Sequence, residues 1–208
     1  MQEELNKGAV LVLSGPSGCG KSSLLKEVYK VIDNYYFSIS TTTREPRVGE
    51  VHGVDYIFVS KEEFERDIHD GQFLEYATVH GNYYGTSLRP IIKSLNDGKL
   101  VIFDIDVQGH RIVKQKLKDV TTSVFITTPT LQELENRLTS RATDDKSVID
   151  KRIKNAKNEI EQLDKYDYFI VNDNLEEASK ILTAVAQVAL AKTKLFDTSN
   201  IINKWLSS

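Results

Sequence analysis

Short apolar runs rich in branched residues recur along the chain and predict buried strands. The first run is Ala9 to Leu13 (AVLVL), and it is followed by similar runs at residues 100–105, 122–126 and 168–171. Apolar runs of this length, without polar alternation, are typical of parallel strands covered on both faces. Apolar residues at helical spacing predict helices at residues 21–32, 107–117, 131–140, 148–163 and 175–191. This alternation predicts an α/β fold with a mostly parallel sheet flanked by helices.

Two segments break this alternation. Residues 37–96 are richer in Tyr, Gly, Thr and His, and we predict short strands and turns inserted into the α/β core. Residues 141–154 are dense in charge and poor in apolar side chains, which predicts a mobile, solvated segment between two helices. The pattern does not indicate what role the sparsely apolar tail after Lys192 has.

Composition and charge narrow the functional classes. The 208 residues suit one domain, or a core with inserted subdomains, and the net charge of −3 gives no footprint for nucleic acid or an anionic membrane. The lone cysteine, Cys19, fits a reducing compartment, and no apolar run approaches the roughly 20 residues of a membrane span. Residues 1–7 are polar and lack the apolar region of a signal peptide. We therefore expect a cytoplasmic protein without nucleic-acid or membrane partners, and the sequence leaves monomer and homodimer open.

The segment Gly15 to Ser22 (GPSGCGKS) is the strongest motif. It matches the pattern G-x-x-x-x-G-K-[ST] and lies between a predicted buried strand and a predicted helix. Its backbone N–H groups and the helix N-terminus would form an anion site for a nucleoside triphosphate. Lys21 would reach the β- and γ-phosphates, and the Ser22 hydroxyl would bind Mg²⁺. The predicted ATP-binding residues of this loop are Gly15, Pro16, Ser17, Gly18, Cys19, Gly20, Lys21, Ser22 and Ser23.

Cys19 within this loop has two interpretations. A helix N-terminus lowers the pKa of a thiol, so a reactive nucleophile is conceivable. No histidine lies near Cys19 in sequence, which favours a small residue that fills the loop.

A second set of groups suits a phosphate monoester. Residues 38–50 (SISTTTREPRVGE) hold several hydroxyls and two arginines, and Tyr56, Glu75 and residues 81–86 (GNYYGT) follow. Arginine offers a rigid fork for bidentate phosphate contacts. Taken alone, this segment could equally be a polar surface hairpin.

Together with the phosphate loop, three runs resemble the guanylate kinase family: SISTTTREPRVGEVHGVDYIFV, FLEYATVHGNYYGTS and IFDIDVQG. The resemblance covers about residues 8 to 185. It implies a Mg²⁺-dependent enzyme that moves the γ-phosphoryl group of ATP onto GMP, giving ADP and GDP, and closes around its substrates. It implies a P-loop core at residues 1–36, 97–136 and 156–208, a GMP-binding insertion at 37–96 and a mobile helical lid at 137–155.

The resemblance also implies roles for individual residues. The GMP phosphate would be gripped by Arg44, Arg47, Tyr56 and Tyr84. The guanine would be read by Ser40, Glu75 and Thr86, the last at a position where the family has Ser or Thr. Asp104 would act on Mg²⁺ through water and Asp106 would contact GMP, although acids at these positions could instead cap the next helix.

The chemistry of guanine supports the role of Glu75. Guanine presents donors at N1 and N2, and a carboxylate can accept from both. Adenine lacks this donor pair, and a buried polar group left unpaired costs about 1–3 kcal/mol. Glu75 would therefore discriminate against adenine, unless it is a solvated surface charge.

Three arginines match the family's lid, namely Arg137, Arg141 and Arg152. With Lys21 and Arg44 they are the predicted catalytic residues, because phosphoryl transfer between two anions needs positive charge on the migrating group. The alternative is a solvated helix face with arginines paired to Glu133 or Asp144.

For two positions, one in the lid and one in the segment on the adenine side, the resemblance does not settle a single role. Ala142 stands where the family usually has Gly, so the resemblance does not determine the geometry of the lid at this residue. Asn172 matches the family's adenine-side segment and would contact adenine or support its loop, although Asn after a strand often serves a turn or a cap.

Two other functions remain as alternatives. A kinase that uses AMP disagrees with the presence of Glu75, Ser40 and Thr86. A scaffold module that resembles the fold but binds partners without turnover disagrees with the retained Lys21, Ser22 and lid arginines.

Overall fold

The computed structural model describes residues 8–79, 81–140 and 145–207, and strands and helices alternate along most of this part. In chain order the elements are β1 (Ala9–Ser14), α1 (Lys21–Val28), β2 (Tyr35–Phe37), β3 (Thr41–Thr42), β4 (Ile57–Phe58), α2 (Lys61–His69), β5 (Phe73–Val79), β6 (Asn82–Ser87), α3 (Leu88–Asn96), β7 (Leu100–Asp104), α4 (Val107–Lys116), β8 (Thr121–Thr127), α5 (Leu131–Ser140), α6 (Lys146–Ile160), β9 (Tyr168–Val171), α7 (Leu175–Ala189) and α8 (Thr198–Leu206). Short 3₁₀ turns lie at Lys118–Val120, Leu163–Lys165 and Thr193–Leu195.

The central sheet is parallel throughout and has the strand order β2-β7-β1-β8-β9. Side chains of β1 alternate between its two faces. Leu11 and Leu13 pack with helices α1 and α7, whereas Val10 and Val12 pack in a second cluster with Ile91 of α3 and residues of α4. The predicted α/β fold, with helices on both faces of a parallel sheet, is confirmed.

A second, mixed sheet with the strand order β4-β3-β6-β5 lies within the segment predicted to be an insertion. Phe64 of α2 stacks on Phe73 and Tyr83 of this sheet, with ring centroids 4.2 and 5.1 Å apart. The Lys116 ammonium group at the end of α4 donates to the Leu74 carbonyl at 2.7 Å and so joins β5 to the core. We call this unit the insertion sheet; the boundaries of the three predicted units stay predictions.

Several predicted elements differ from the structure. Helix α1 ends at Val28 rather than residue 32, because Lys30 and Val31 already bond to carbonyls three residues back, although Ile32 is still buried. Helix α6 begins at Lys146, so the segment predicted to be solvated is helical from there on. The many charged residues of this segment obscured a narrow apolar stripe in the sequence pattern. In this stripe Ile149 and Ile153 pack beside Leu134 and Leu138 of α5.

Four elements were missed: β2, α2, α3 and α8. The signal for α2 was present, since Ser60 and Glu63 form a reciprocal capping box. Within the described ranges, no helix is long and apolar enough to cross a membrane.

Candidate active site

The phosphate loop between β1 and α1 has a backbone that favours glycine at three points, Gly15, Gly18 and Gly20. Gly15 and Gly20 have φ values of +143° and +94°. A side chain at Gly15 would collide with the Ile126 carbonyl of β8, and one at Gly20 with the Asn172 amide. The neighbouring strand and the Asn172 loop thus determine the shape of this phosphate loop.

Lys21 lies over the loop, next to a carboxylate. Its Nζ donates to the Gly15 carbonyl at 2.7 Å and is 3.7 Å from Asp104 Oδ1, at the carboxyl end of β7. Burial raises the pKa of Asp104, and the Lys21 charge opposes that rise. Both residues, with Ser22 in the first turn of α1, line a cavity of about 380 Å³. We call it the phosphate cavity.

Asn172 holds the phosphate loop in place through a hydrogen bond from its side chain. Its buried amide donates to the Cys19 carbonyl at 2.7 Å. This contact corresponds to the loop-supporting alternative for Asn172, whereas a contact with adenine stays a prediction. Cys19 is fully buried, and burial raises the pKa of its thiol, so its environment suits a residue that fills the loop rather than a nucleophile.

Helix α6 brings two charged groups to the phosphate loop. Arg152 donates to the Ser17 hydroxyl at 2.9 Å. Glu159, two turns further along α6, lines the phosphate cavity, where burial raises its pKa and Lys21 opposes the rise. Glu159 was not predicted from the sequence. Its spacing of seven residues from Arg152 was the available signal, since such residues share a helix face.

The other two lid arginines are not brought to the loop by any described contact. Arg137 donates to Glu133 on its own helix α5 at 2.7 Å, which is the pairing considered as the alternative. Arg141, Ala142 and Asp144 lie outside the residues that the structure describes. Roles for the arginines in transfer therefore stay predictions.

Arg44 in the insertion sheet is held by an acid. Both Glu50 oxygens accept from its NH2 group at 2.8 Å, and its guanidinium carbon lies 5.5 Å from the Tyr56 ring centroid. Tyr84 meets Tyr56 edge-on at 6.0 Å. Hydrogen bonds with Glu50 and with Tyr84 raise the pKa of Arg44 further. Three of the four predicted phosphate ligands therefore form one cluster.

The fourth predicted phosphate ligand, Arg47, has an exposed side chain, but its backbone N–H donates to Glu50 at 2.8 Å. That hydrogen bond, followed by the one from Arg44, lowers the pKa of Glu50. Glu50 was not predicted from the sequence as a partner of both arginines. The acid lies three residues after Arg47, and this short spacing across Gly49 was the available signal.

Two of the predicted guanine-reading residues are in contact. Thr86 of β6 donates its hydroxyl to Glu75 of β5 at 2.6 Å, on paired positions of the two strands. Thr86 is buried and Glu75 is half-buried, so both are partly removed from water. Ser40 is exposed and lies just before β3, where its carbonyl accepts from the Ile57 N–H at 2.9 Å.

Asp106 caps helix α4. Its carboxylate accepts from the backbone N–H groups of Gln108 and Gly109 at 3.0 and 2.8 Å. It also lines the phosphate cavity. The capping alternative therefore describes Asp106 in this structure, and its contact with GMP stays a prediction.

Comparisons with known proteins agree with this geometry. A family model described as guanylate kinase matches residues 7–189. A guanylate kinase from Sulfurimonas denitrificans is 57% identical over 198 residues, covering 95% of this chain and 96% of that protein. One from Wolinella succinogenes is 54% identical over 204 residues, covering 98% and 95%. A crystal structure of guanylate kinase from Anaplasma phagocytophilum, at 31% identity, covers 95% of this chain and 94% of that chain with a TM-score of 0.69. Such similarity in sequence and structure over nearly the whole length means that the chain belongs to the guanylate kinase family.

Proposed function

We propose that this chain transfers the γ-phosphoryl group of ATP to GMP, giving ADP and GDP, with Mg²⁺ as cofactor. The observation that carries the proposal is the Glu75–Thr86 pair in the insertion sheet, 2.6 Å apart, on the same chain as a complete phosphate loop. The loop accounts for a nucleoside triphosphate, and the carboxylate accounts for guanine as the second base. We expect a cytoplasmic location, as the sequence predicts.

On the donor side, the backbone N–H groups of the phosphate loop would bind the ATP phosphates. Lys21 now donates to the carbonyl of Gly15. In the complex it would turn from that carbonyl to the β- and γ-phosphate oxygens, which are stronger acceptors because they are charged. The Nζ atom of Lys21 already lies 3.7 Å from Asp104 at the phosphate cavity, so this change of partner would require only a small movement.

The donor groups fit Mg²⁺. Ser22 and Asp104 face the same cavity, and hydroxyl and carboxylate oxygens are ligands that this ion takes together with substrate phosphates and water. A bound Mg²⁺ would neutralise charge on the phosphate oxygens. Ser22 would bind it directly and Asp104 through water.

On the acceptor side, Arg44, Arg47, Tyr56 and Tyr84 would hold the phosphate of GMP. The phosphate would compete with Glu50 for Arg44, since both are anions that pair with a guanidinium group. Glu75 would accept from guanine N1 and N2, with Ser40 and Thr86 in support. Thr86 already donates to one oxygen of Glu75, so it orients the carboxylate for this role.

Transfer would be driven by positioning and by charge. A loose transition state leaves negative charge on the migrating group, which Lys21 and the lid arginines Arg137, Arg141 and Arg152 would stabilise. Arg152 already reaches the phosphate loop at Ser17, whereas Arg137 would have to leave Glu133. No general base is required, because the acceptor is a phosphate oxyanion at neutral pH. Closure around both substrates would exclude water as a competing acceptor.

A coupled ADP-release assay across AMP, GMP, CMP and UMP tests the proposal. We expect Mg²⁺-dependent ADP release with GMP, and at least about 100-fold lower kcat/KM with AMP, because a site built around hydrogen bonds rejects analogues that lack them. Equal turnover of AMP would favour a different monophosphate kinase. Absence of ADP release with all four, from a folded protein that binds ATP, would contradict a kinase activity altogether.

A further inference from the structure

A groove of about 910 Å³, lined mostly by residues with polar side chains, lies between helices α4 and α6, beside the phosphate cavity. Asp106 and Glu159 line both, so the two spaces meet at these acids. The volume falls within the range of about 300–1,000 Å³ that is usual for small-molecule sites. Among the residues that line the groove, Asp106 alone was predicted to contact a substrate. The groove is therefore distinct from the insertion sheet and from most of the phosphate loop.

Beyond the two shared acids, the charged residues of the groove are all basic: Arg111, Lys114, Lys118 and Lys165. Lys114 is paired with Asp167 at 3.0 Å, whereas Arg111 and Lys118 are exposed at the wall of the groove. The chain as a whole carries a net charge of −3, so this basic wall is a local feature rather than a general one. A concave surface lined by cations attracts anions.

The remaining polar wall consists of carboxamides. They come from α4, from α6 and from the turn that follows α6, and are Gln108, Gln115, Asn155, Asn158 and Gln162. A carboxamide offers both a donor and an acceptor, the combination that pairs with the edges of nucleobases, and among the residues that the structure describes, only the Gln162 oxygen of these five accepts from a neighbouring side chain, that of Lys165. His110 adds a buried Nε2 atom with no hydrogen-bond partner within the described part of the chain.

We propose that the groove between α4 and α6 binds a further nucleotide, with its phosphates at Arg111 and Lys118 and its base against the carboxamides. This site is additional to the two substrate sites. Because α6 also carries Arg152 to the phosphate loop and Glu159 to the phosphate cavity, the nucleotide would contact the helix that reaches the site of transfer.

A thiol introduced into the groove by Gln115→Cys reports its occupancy. Cys19 is buried, so an alkylating reagent should react with the introduced thiol. GDP is the probe, applied to the free protein and to protein whose substrate sites are filled by a bisubstrate analogue, adenosine and guanosine joined through five phosphates. Loss of ADP release verifies that the analogue is bound. We expect GDP to slow alkylation in both states.

Paired variants in the same background locate the site. Arg111→Ala with Lys118→Ala should raise the GDP concentration needed for protection by at least about tenfold, since each removes a charge-assisted phosphate contact. The matched control, Lys93→Ala with Lys180→Ala, removes equal charge from exposed residues of α3 and α7 and should leave protection unchanged. Both pairs should retain ADP release with GMP.

The proposal is overturned if GDP gives no protection while the bisubstrate analogue fills the substrate sites, or if protection survives Arg111→Ala with Lys118→Ala. Pyrophosphate distinguishes a nucleotide site from a simple anion site. It should protect at least about tenfold more weakly than GDP, because it cannot contact the carboxamides through a base. Equal protection by pyrophosphate would contradict base recognition.

Discussion

The phosphate loop and the insertion sheet both gather groups for phosphate, but they hold them in different ways. The loop is built from backbone and is held by a buried hydrogen bond, in which the Asn172 amide donates to the Cys19 carbonyl. In the insertion sheet the phosphate ligands are long side chains, and Arg44 is paired with Glu50. The loop is therefore held by contacts within the chain, whereas the guanidinium group of Arg44 is paired with another anion.

This difference follows from the chemistry of the two cradles. Backbone N–H groups carry partial charges that need no counter-ion, so a helix N-terminus can wait for phosphate at little cost. A guanidinium group carries a full charge that is never lost by deprotonation, and a partly buried one requires a partner. We therefore expect ATP to enter a prepared site and GMP to rearrange its own.

Lys21→Ala should have the largest effect on the donor side. It removes the fixed cation over the loop, and single positioned charges are often worth about 10²–10³ in rate. We expect kcat to fall by that factor in the coupled ADP-release assay, while thermal unfolding shows that the fold survives. Lys26→Ala, at an exposed position of the same helix, is the control and should leave kcat unchanged. Near-normal turnover of Lys21→Ala would remove this residue from the mechanism.

Glu75→Gln should have the largest effect on the acceptor side. It keeps the size but replaces an acceptor with a donor that opposes a guanine N–H. We expect kcat/KM for GMP to fall by about 30–100-fold, or about 2–3 kcal/mol, with little change in ATP affinity. Glu62→Gln, on the exposed first turn of α2, should have no effect.

Arg44→Ala distinguishes base recognition from phosphate recognition on the same side. This residue would contact a phosphate that every monophosphate shares, so its loss should lower the use of GMP without any gain in relative use of AMP. Glu75→Gln, in contrast, should lower the ratio of GMP to AMP efficiency. An unchanged ratio in Glu75→Gln would mean that other residues read the base.

Asn172→Ala tests whether the loop owes its shape to a buried anchor. The variant leaves the Cys19 carbonyl without its donor, a loss of about 1–2 kcal/mol in the free energy of unfolding. We expect ATP to bind more weakly in calorimetry, because the loop is no longer held. Asn174→Ala removes the N-cap of α7 and should lower the free energy of unfolding by about 1 kcal/mol without weakening ATP binding. Equal ATP affinities in the two variants would contradict the anchoring role.

Asp167→Asn should give the smallest effect, one that depends on pH. The Asp167 carboxylate accepts from Ser123 of β8 and from Lys114; burial alone would raise its pKa, but these contacts lower it. With a folded pKa below the unfolded value of about 3.9, its stabilisation is present above that pH and is lost as pH falls through the folded pKa. We expect less than about 1 kcal/mol at pH 7, since the side chain is partly exposed. Urea unfolding at pH 7 and near pH 3 should show the difference between wild type and variant shrinking; Asp164→Asn is the control.

Local patterns predicted the donor side better than the acceptor side. The four longest strands of the central sheet and the phosphate loop are each formed by one short segment of the sequence. Periodicity and one motif were therefore enough to predict them. The partners that organise the site come from distant segments. Asn172 reaches Cys19 across 153 positions, and no local pattern indicates such a contact. Glu159, in contrast, could have been found from its spacing of seven residues from Arg152 on α6.

The insertion sheet was predicted in content but not in form. Its strands β3 and β4 have two residues each, too short for a periodic signal, and helix α2 was missed although its capping box was readable. The resemblance to the family supplied Glu75 and Thr86, and the structure adds their hydrogen bond. The pairing of Arg44 with Glu50 depends on a turn conformation that the sequence does not specify.

Hydrogen–deuterium exchange on the free protein and on the GMP complex tests the contrast between the two sides most directly. Saturation with GMP is verified by calorimetry. We predict that GMP slows exchange at residues 38–50 and 82–86, where ligands must exchange partners, and leaves residues 15–22 unchanged, because GMP binds outside the loop and the loop is already held in shape. Equal slowing at residues 15–22, or no change at residues 38–50 with GMP bound, would contradict this contrast.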